Sequence, residues 1–398
     1  MCPEVYEMKK IWMILALCLC LTACGRLPSE ITTEPPAPVT GVTVPAEGSL
    51  PAPTEKAPVE TQPRDPVEML LGQMSIEDRV GQILLARCNA ETALSDIEAY
   101  HLGGFVLFGA DFEGDTPDSF RAKADSYQAA SPIPMLLSVD EEGGDVTRIS
   151  RYPAYRSSKF PSLRKSWKAG GLEQILEIEE EKCALLARLG INVNLGPVCD
   201  ISDNADAFMY NRSLGQDAAT TAQVVTAILD CYERNQMGTV LKHFPGYGNN
   251  ADTHVGLAVD SRSLGKLESR DLVPFAAGIE AGTGAILVSH NIVEALDDTL
   301  PASLSPAVHT YLRETMGFSG VILTDDLYMQ AITDQYGVEE AAVLAVLAGN
   351  DMLCVTEYQA QYQAILDAVY SGRISFDTLD NAARNVLKWK QNLGLIEG

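Results

Sequence analysis

The sequence predicts an α/β protein: a single (β/α)8 TIM-type barrel, preceded by a signal peptide and a disordered proline-rich linker. Eight short apolar segments alternate with longer helical patterns across residues 67–398. Most of these segments are unbroken aliphatic runs, as expected for parallel strands covered on both faces. Eight such pairs in a chain of this length favour the barrel. A doubly wound sheet is the alternative, but no GxGxxG motif follows an early strand.

The predicted elements follow one another regularly along residues 67–398. Strands are predicted at 82–86, 104–108, 134–140, 191–197, 239–243, 285–290, 321–325 and 351–355. Helices are predicted between them, among others at 172–189, 218–234, 271–280, 306–316 and 339–348. Several of these helices end near a glycine, which is typical of helix C-termini.

Residues 1–23 are predicted to be a lipoprotein signal peptide. Two lysines precede residues 11–21, which carry no polar side chain and are too few to span a bilayer. The following LTAC sequence resembles the bacterial lipobox, and that resemblance implies cleavage before Cys24 and acylation of its thiol. The alternative is an ordinary signal peptide with a chance cysteine. Residues 24–66 are predicted to be a lipid-anchored linker, because 25–66 hold ten prolines and no aromatic residue.

Composition excludes several classes of function. The formal net charge is −25 and no cluster of basic residues is present, which argues against nucleic-acid binding and against electrostatic docking on a membrane. We therefore expect the protein to be extracytoplasmic and to meet the bacterial membrane through its lipid anchor only. Beyond Cys24 five cysteines are scattered singly, without the spacing of a disulfide framework or a zinc site. The sequence predicts neither a cofactor nor a metal.

Polar residues collect where the predicted strands end. Asp140 closes the third strand, Lys242 and His243 close the fifth, and Asp325 and Asp326 close the seventh. The carboxyl ends of barrel strands are where barrel enzymes build their sites. A metal-dependent barrel hydrolase is a rival interpretation, but the first predicted strand, QILLA, offers no ligand.

Four motifs stand out along residues 139–327. They are LKHFPGYG at 241–248 with DTH at 252–254, VDEEGG at 139–144, NRSLG at 211–215, and PASLSP at 301–306 leading to LTDDL at 323–327. Together they resemble the family-three glycoside hydrolases, and most closely their β-N-acetylglucosaminidase branch. The resemblance covers roughly residues 67–398. It implies a retaining mechanism, in which one carboxylate attacks the sugar and a second group donates the proton.

The resemblance assigns the catalytic roles. It implies that Asp325 is the nucleophile, although an aspartate at this position could also cap the next helix. It implies that His254, oriented by Asp252, is the acid/base; the alternative is a solvated loop histidine. Twelve positions separate Lys242 from His254, one fewer than in the family pattern. Many relatives take a glutamate from a second domain; the sequence ends soon after its last predicted helix, so we expect a donor from the barrel loops.

The same resemblance implies a pocket for the terminal sugar, formed by Asp140, Arg148, Arg212, Lys242 and His243. The alternatives are structural salt bridges for the arginines and a buried core role for the histidine. Two further polar residues near strand ends, Asp200 and His290, are expected to act behind this pocket.

The sequence therefore predicts an exo-acting retaining β-N-acetylhexosaminidase, which hydrolyses terminal β-linked N-acetylglucosamine from glycans or cell-wall fragments such as muropeptides, as in peptidoglycan turnover. Phosphorolysis of the same glycosides, or β-glucosidase activity, is the enzymatic alternative. The non-enzymatic alternative is a sugar-binding lipoprotein on an inactive scaffold.

Overall fold

A computed structural model describes residues 65–250, 252–253 and 256–397. The predicted signal peptide, the lipidation site Cys24 and nearly all of the predicted linker lie outside these residues, and so does His254. The described part of the chain contains five cysteines, all of them free and buried. No helix within it has the length and apolar character needed to cross a membrane.

Eight parallel strands form the central sheet, in the order β10-β1-β2-β3-β4-β5-β7-β9. The ten strands are β1 (Leu84–Arg87), β2 (Gly104–Leu107), β3 (Leu136–Val139), β4 (Val193–Asn194), β5 (Gly238–Phe244), β6 (Val259–Asp260), β7 (Ala285–Val288), β8 (Ile292–Val293), β9 (Val321–Thr324) and β10 (Leu353–Val355). A parallel bridge between Leu323 and Met352 links the two ends of the sheet. The predicted TIM-type barrel is therefore confirmed. Strands β6 and β8 form a separate pair.

Helices follow most of the barrel strands. They are α1 (Pro66–Leu71), α2 (Ile76–Gln82), α3 (Ala93–Tyr100), α4 (Gly109–Phe112), α5 (Pro117–Ala130), α6 (Leu163–Arg188), α7 (Ala218–Arg234), α8 (Leu264–Lys266), α9 (Val273–Glu280), α10 (Pro306–Thr310), α11 (Gln330–Tyr336), α12 (Val338–Ala348), α13 (Tyr358–Tyr370) and α14 (Phe376–Asn392). A 3₁₀ turn spans Ala302–Leu304, and π-helical turns span Leu267–Asp271 and Tyr311–Thr315. Helix α6 is interrupted at Gly170 and Gly171, whose backbones leave the helical conformation.

Strand alternation divides the apolar residues into an inner and an outer set. The inner set packs around the barrel axis and includes Leu85, Val106, Leu136, Val240 and Leu323. Their immediate strand neighbours pack outward against the helices in the other two hydrophobic clusters. The strands are thus buried on both faces, which is why they are continuous aliphatic runs in the sequence.

Helix α14 closes the end of the barrel opposite the site. Val386 and Trp389 pack into the same cluster as the axis-facing residues of the strands. A side chain at Gly284, just before β7, would put its Cβ 2.5 Å from Nε1 of Trp389, so the indole requires a glycine there. The barrel axis is therefore sealed at this end and open only at the carboxyl ends of the strands.

Candidate active site

Three of the predicted site residues come directly from strand alternation. Lys242 and Asp325 lie two positions after the axis-facing Val240 and Leu323, and Asp140 lies four positions after the axis-facing Leu136. Alternation therefore directs all three side chains toward the axis at the open mouth. Asp326, one position further, belongs to the opposite face of the strand.

A buried network of opposite charges lines this mouth. The Lys242 ammonium lies 2.6 Å from Oδ1 of Asp140 and 2.8 Å from Oε1 of Glu142. Arg212 holds the same Glu142 through two contacts, Nη2 to Oε1 at 2.6 Å and Nε to Oε2 at 3.0 Å. Asp140 also faces Arg148, with 3.5 Å between Oδ2 and Nη2. The structure thus brings four predicted pocket residues, Asp140, Arg148, Arg212 and Lys242, together with Glu142.

These contacts favour the charged forms of Glu142 and Lys242. Burial alone would raise the pKa of Glu142, but Arg212 and Lys242 outweigh it and hold that pKa well below its usual range. Burial alone would lower the pKa of Lys242, and the carboxylates of Asp140 and Glu142 raise it above its ordinary value. Asp140 is the carboxylate of this network open to solvent, with 19% of its side chain exposed.

His243 links the network to Asp200. Its Nδ1 lies 2.7 Å from Oδ2 of Asp200, and its Nε2 lies 3.1 Å from Nη2 of Arg212. Because a guanidinium only donates, Nε2 must accept, and the tautomer that satisfies both contacts carries its proton on Nδ1. Asp200 also accepts the backbone N–H groups of His243 and of Tyr247. Asp200 therefore fixes the orientation of the His243 ring.

Glu141 fixes the loop that carries Arg148. It is fully buried, and its Oε2 accepts the backbone N–H groups of Arg148 and Ile149, each at 2.8 Å. Glu141 and Glu142 belong to the VDEEGG motif, but the sequence predicted no role for either residue. The available signal was that Glu141, Glu142 and the following Gly143 and Gly144 come directly after a buried strand.

Asp325 and Asp326 differ in their surroundings. Oδ1 of Asp325 accepts the N–H of Asp326 at 2.9 Å, and the Asp325 side chain remains partly exposed. Asp326 accepts the Thr356 hydroxyl at 2.6 Å and the Tyr328 amide at 3.0 Å. Burial raises the pKa of Asp326. Both aspartates are half-buried, and strand alternation places Asp325 rather than Asp326 on the side of the barrel axis.

The loop after β5 is fixed by a hydrogen bond next to the predicted catalytic residue Asp252. The Tyr247 hydroxyl forms a short hydrogen bond with the hydroxyl of Thr253, which is fully buried. Burial, with the nearby carboxylate of Asp325, raises the pKa of Tyr247. Asp252 is partly buried next to this contact.

His290 is held on both ring nitrogens. Its Nδ1 lies 2.7 Å from the Ser303 hydroxyl, and its Nε2 lies 3.0 Å from the carbonyl oxygen of Asp326. Since a carbonyl only accepts, Nε2 carries the proton and Nδ1 accepts from Ser303. His290 therefore supports the backbone next to Asp325. Among the described residues, no group of three or more histidine, cysteine, aspartate or glutamate side chains is arranged to hold a metal ion.

A closed parallel barrel with a carboxylate-lined mouth is the architecture of a (β/α)8 barrel enzyme, with its site at the carboxyl ends of the strands. A family model described as the glycosyl hydrolase family 3 N terminal domain matches residues 75–389. The chain belongs to glycosyl hydrolase family 3, and it is a glycoside hydrolase.

Similar proteins include the beta-hexosaminidase LpqI of Mycobacterium tuberculosis, 31% identical over 392 residues, which cover 95% of this chain and 96% of the relative. A beta-hexosaminidase of Xylella fastidiosa is 35% identical over 269 residues, covering 64% of this chain and 76% of the relative.

Solved structures agree with the fold. A glycoside hydrolase family 3 beta-N-acetylglucosaminidase from Paenibacillus sp. FPU-7 has a TM-score of 0.76 at 31% identity over 82% of this chain. The match covers 64% of that longer chain. The structure of M. tuberculosis LpqI has a TM-score of 0.74 at 30% identity, covering 82% of this chain and 96% of that chain.

Proposed function

We propose that this glycoside hydrolase is an exo-acting, retaining β-N-acetylhexosaminidase that removes terminal β-linked N-acetylglucosamine. The observation that carries the proposal is the position of Asp325, which follows the axis-facing Leu323 of β9 and is partly exposed at the open end of the barrel. Relatives that match nearly the whole chain are named beta-hexosaminidases, which supports the substrate class.

Asp325 acts as the nucleophile in this proposal. Its carboxylate is partly exposed at the open end of the barrel, where it meets the anomeric carbon of a bound sugar and forms a glycosyl-enzyme intermediate. Asp326 is unsuited to the role, because its carboxylate is engaged by Thr356 and the Tyr328 amide.

His254 acts as the acid and then as the base, with Asp252 orienting its ring. The assignment rests on the DTH motif and on the family pattern, since His254 lies outside the described residues. The unperturbed imidazole pKa of about 6.5 suits proton donation near neutral pH. The hydrogen bond between Tyr247 and Thr253 supports a fixed position for the neighbouring Asp252.

The terminal sugar is held by Asp140, Arg148, Arg212, Lys242 and His243. Asp140 and Arg148 contact each other and reach solvent, so they are suited to bind sugar hydroxyls directly. Arg212 is engaged by Glu142 and His243, so it contributes mainly by fixing their positions. Hydroxyl groups pair well with such charged donors and acceptors.

The activity is tested with chromogenic β-GlcNAc, β-GalNAc and β-glucose substrates, each with and without inorganic phosphate. We expect hydrolysis of the β-GlcNAc substrate without a requirement for phosphate. Faster turnover with phosphate and formation of a sugar 1-phosphate would indicate phosphorolysis, and preference for β-glucose would indicate a β-glucosidase. No turnover of any of them would favour a sugar-binding protein.

The catalytic roles are tested with Asp325→Asn, and Asp326→Asn is its matched control. Asp325→Asn should lower turnover by several orders of magnitude on every substrate.

His254→Ala removes a group that typically contributes about 10²–10⁴-fold to the rate. The variant should lose most of its rate on a disaccharide. With an activated aryl glycoside it should accumulate the glycosyl-enzyme intermediate, which azide then converts to a glycosyl azide. An unimpaired His254→Ala variant on disaccharides would refute its role.

The protein is proposed to be extracytoplasmic and held to the bacterial membrane by lipid on Cys24. Each buried CH₂ group contributes about 0.8 kcal/mol, so two or three acyl chains give stable anchoring where one does not. Mass spectrometry of membrane-extracted protein should find a diacylated or triacylated N-terminal cysteine at Cys24. A soluble form that starts at another residue would contradict the anchor.

A further inference from the structure

The side chain of Asn194 extends the pairing between β3 and β4 beyond the ends of both strands. The two strands pair as far as Val139 and Asn194. Oδ1 of Asn194 then accepts the N–H of Glu141 at 3.0 Å, and its Nδ2 donates to the carbonyl oxygen of Glu141 at 3.3 Å. Asn194 is 2% exposed, so these bonds are shielded from water. A side chain of the neighbouring strand thus fixes the start of the loop after β3.

A buried tyrosine determines which way this amide points. The hydroxyl of Tyr232, on α7, accepts from Nδ2 of Asn194 at 2.9 Å and donates to Oε2 of Glu179, on α6, at 2.6 Å. Because a carboxylate only accepts, the single hydroxyl proton goes to Glu179, and the Tyr232 oxygen must accept from an N–H. Burial, with the nearby carboxylate of Glu179, raises the pKa of Tyr232, so the hydroxyl keeps this proton. A reversed amide would place its oxygen against that of Tyr232 and its NH₂ group against the N–H of Glu141.

Lys182 balances the charge of Glu179. Its Nζ lies 2.7 and 2.9 Å from the two carboxylate oxygens, and a longer contact of 3.4 Å reaches the carbonyl oxygen of Glu142. Both side chains are nearly fully buried. A buried ion pair of this kind contributes little net stability compared with apolar packing. Its contacts lead instead to the loop after β3, through Tyr232 and Asn194 on one side and through Glu142 on the other.

The fixed start of this loop carries groups of the proposed sugar pocket. Asp140 and Glu142 flank Glu141 in the chain, and both of their carboxylates contact Lys242. The carboxylate of Glu141 accepts the N–H of Arg148 at 2.8 Å, and Arg148 in turn faces Asp140. A shift of the Glu141 backbone therefore displaces Asp140, Glu142 and Arg148 together.

We infer that Asn194 is a positioning residue for the proposed sugar pocket and that Tyr232 fixes its orientation. Glu179 and Lys182 support Tyr232 from the helices behind. This inference rests on the proposed function, since it explains how the pocket for the terminal sugar keeps its shape. The four side chains act on the pocket through the backbone of Glu141. Binding groups need such support, because they must stay within about 0.5 Å of their productive geometry.

Tyr232→Phe tests the inference, because it removes one oxygen and keeps the ring in the core. The Asn194 amide then loses the contact that orients it, and the pocket is held less precisely. We expect the KM for 4-nitrophenyl β-GlcNAc to rise about tenfold, with a smaller change in kcat. The inhibition constant of free N-acetylglucosamine should rise by a similar factor, because the same pocket holds the sugar. Steady-state kinetics with product inhibition measures both constants.

Tyr358→Phe is the matched control. Tyr358, on α13, is also buried, and its hydroxyl donates to Oδ2 of Asp96, on α3, at 2.6 Å. Its loss should lower stability in chemical unfolding about as much as Tyr232→Phe and leave both kinetic constants unchanged. If the two variants lose stability and sugar binding alike, the effect of Tyr232 is one of general stability, and the inference is wrong.

A double-mutant cycle determines whether Tyr232 acts through Asn194. Asn194→Ala should raise the inhibition constant of N-acetylglucosamine at least as much as Tyr232→Phe, and the double variant should show no further rise. If Asn194→Ala does not fold, Asn194→Asp replaces it, because a carboxylate of the same shape cannot donate to Tyr232 or to Glu141.

Effects that multiply in the double variant would show that the two residues act independently, and they would overturn the inference. Wild-type constants in Tyr232→Phe would overturn it as well, with the proposed function left intact. A wild-type protein that neither hydrolyses the β-GlcNAc substrate nor binds N-acetylglucosamine would instead contradict the proposed function itself.

Discussion

Each end of the barrel buries a lysine, and the two lysines have opposite surroundings. Lys242, at the open mouth, contacts the carboxylates of Asp140 and Glu142, which raise its pKa despite its burial. Lys390, at the end closed by α14, donates to Oε1 of Gln82 at 2.6 Å. Burial without a compensating carboxylate lowers the pKa of Lys390 to about 7.

The comparison separates a functional charge from a structural one. Desolvation disfavours the charged form of both lysines, and nearby carboxylates reverse that effect only at the mouth. Buried ion networks contribute little net stability compared with apolar packing. The mouth therefore keeps a costly set of charges, which the proposed function explains by sugar binding, whereas the closed end keeps a lysine close to its neutral form.

The largest expected difference is in activity. Lys242→Met should lower kcat/KM on a β-GlcNAc substrate by about 10²–10³-fold, because the pocket loses a preorganised donor and leaves Asp140 and Glu142 undercompensated. Lys390→Met is the same substitution at the other end, and we expect it to retain most of the activity. Steady-state kinetics of both variants checks this, and equal losses would erase the distinction between the two ends.

Glu142→Gln should cause the largest loss of stability. It leaves Arg212 and Lys242 without their shared anion, which costs about 3–5 kcal/mol for a broken buried pair. The folded pKa of Glu142 is lowered, so its contribution is complete above its ordinary pKa and fades as the pH falls toward the folded value. Chemical unfolding should therefore give a constant difference from wild type at pH 6–8 and a shrinking one below about pH 4.5.

Lys390→Met should raise stability at neutral pH by about 1–3 kcal/mol, since it replaces a buried ionisable group with an apolar one. The unfolded chain binds this proton up to a pKa of about 10.4, whereas the folded chain releases it near pH 7. The wild type thus regains stability from this group as the pH rises from 7 to 10. The advantage of the variant should be largest at pH 7 and shrink toward pH 10; an advantage independent of pH would mean that Lys390 titrates normally.

The smallest effect concerns the contact between Gln82 and Lys390. Gln82→Leu should destabilise the wild type by about 1–3 kcal/mol, because it leaves the buried amine without an acceptor. In the Lys390→Met background the same change should cost less, giving a coupling energy of about 1 kcal/mol in a double-mutant cycle. Additive effects would show that this hydrogen bond contributes nothing measurable.

The sequence predicted the barrel because its strands are buried on both faces, as the aliphatic runs around Leu85, Val106 and Leu323 illustrate. The first and last residues of the strands were less predictable. Gln82 was expected to begin a strand, but it ends α2 and binds Lys390 and the carbonyl of His101. The predicted strand at 191–197 is reduced to Val193–Asn194, and beyond Gly196 and Pro197 only an isolated parallel bridge joins Val198 to Lys242.

In the site, too, some features were predictable from the sequence and others were not. Asp140, Lys242 and Asp325 were predictable because strand ends and alternation are local properties of the sequence. The partners of Glu142 were not, because ion pairing depends on residues far apart in the chain. Glu142 and Arg212, for instance, are 70 positions apart.

Helix α14 also constrains the order in which the protein can acquire its structure. Its contacts join residues far apart along the chain: Lys390 to Gln82 across 308 positions, and Arg384 to Glu68 across 316. Trp389 fills the barrel axis between strands from both halves of the domain. A nascent chain that leaves the ribosome N-terminus first therefore cannot complete the core on the barrel axis until α14 has been synthesised.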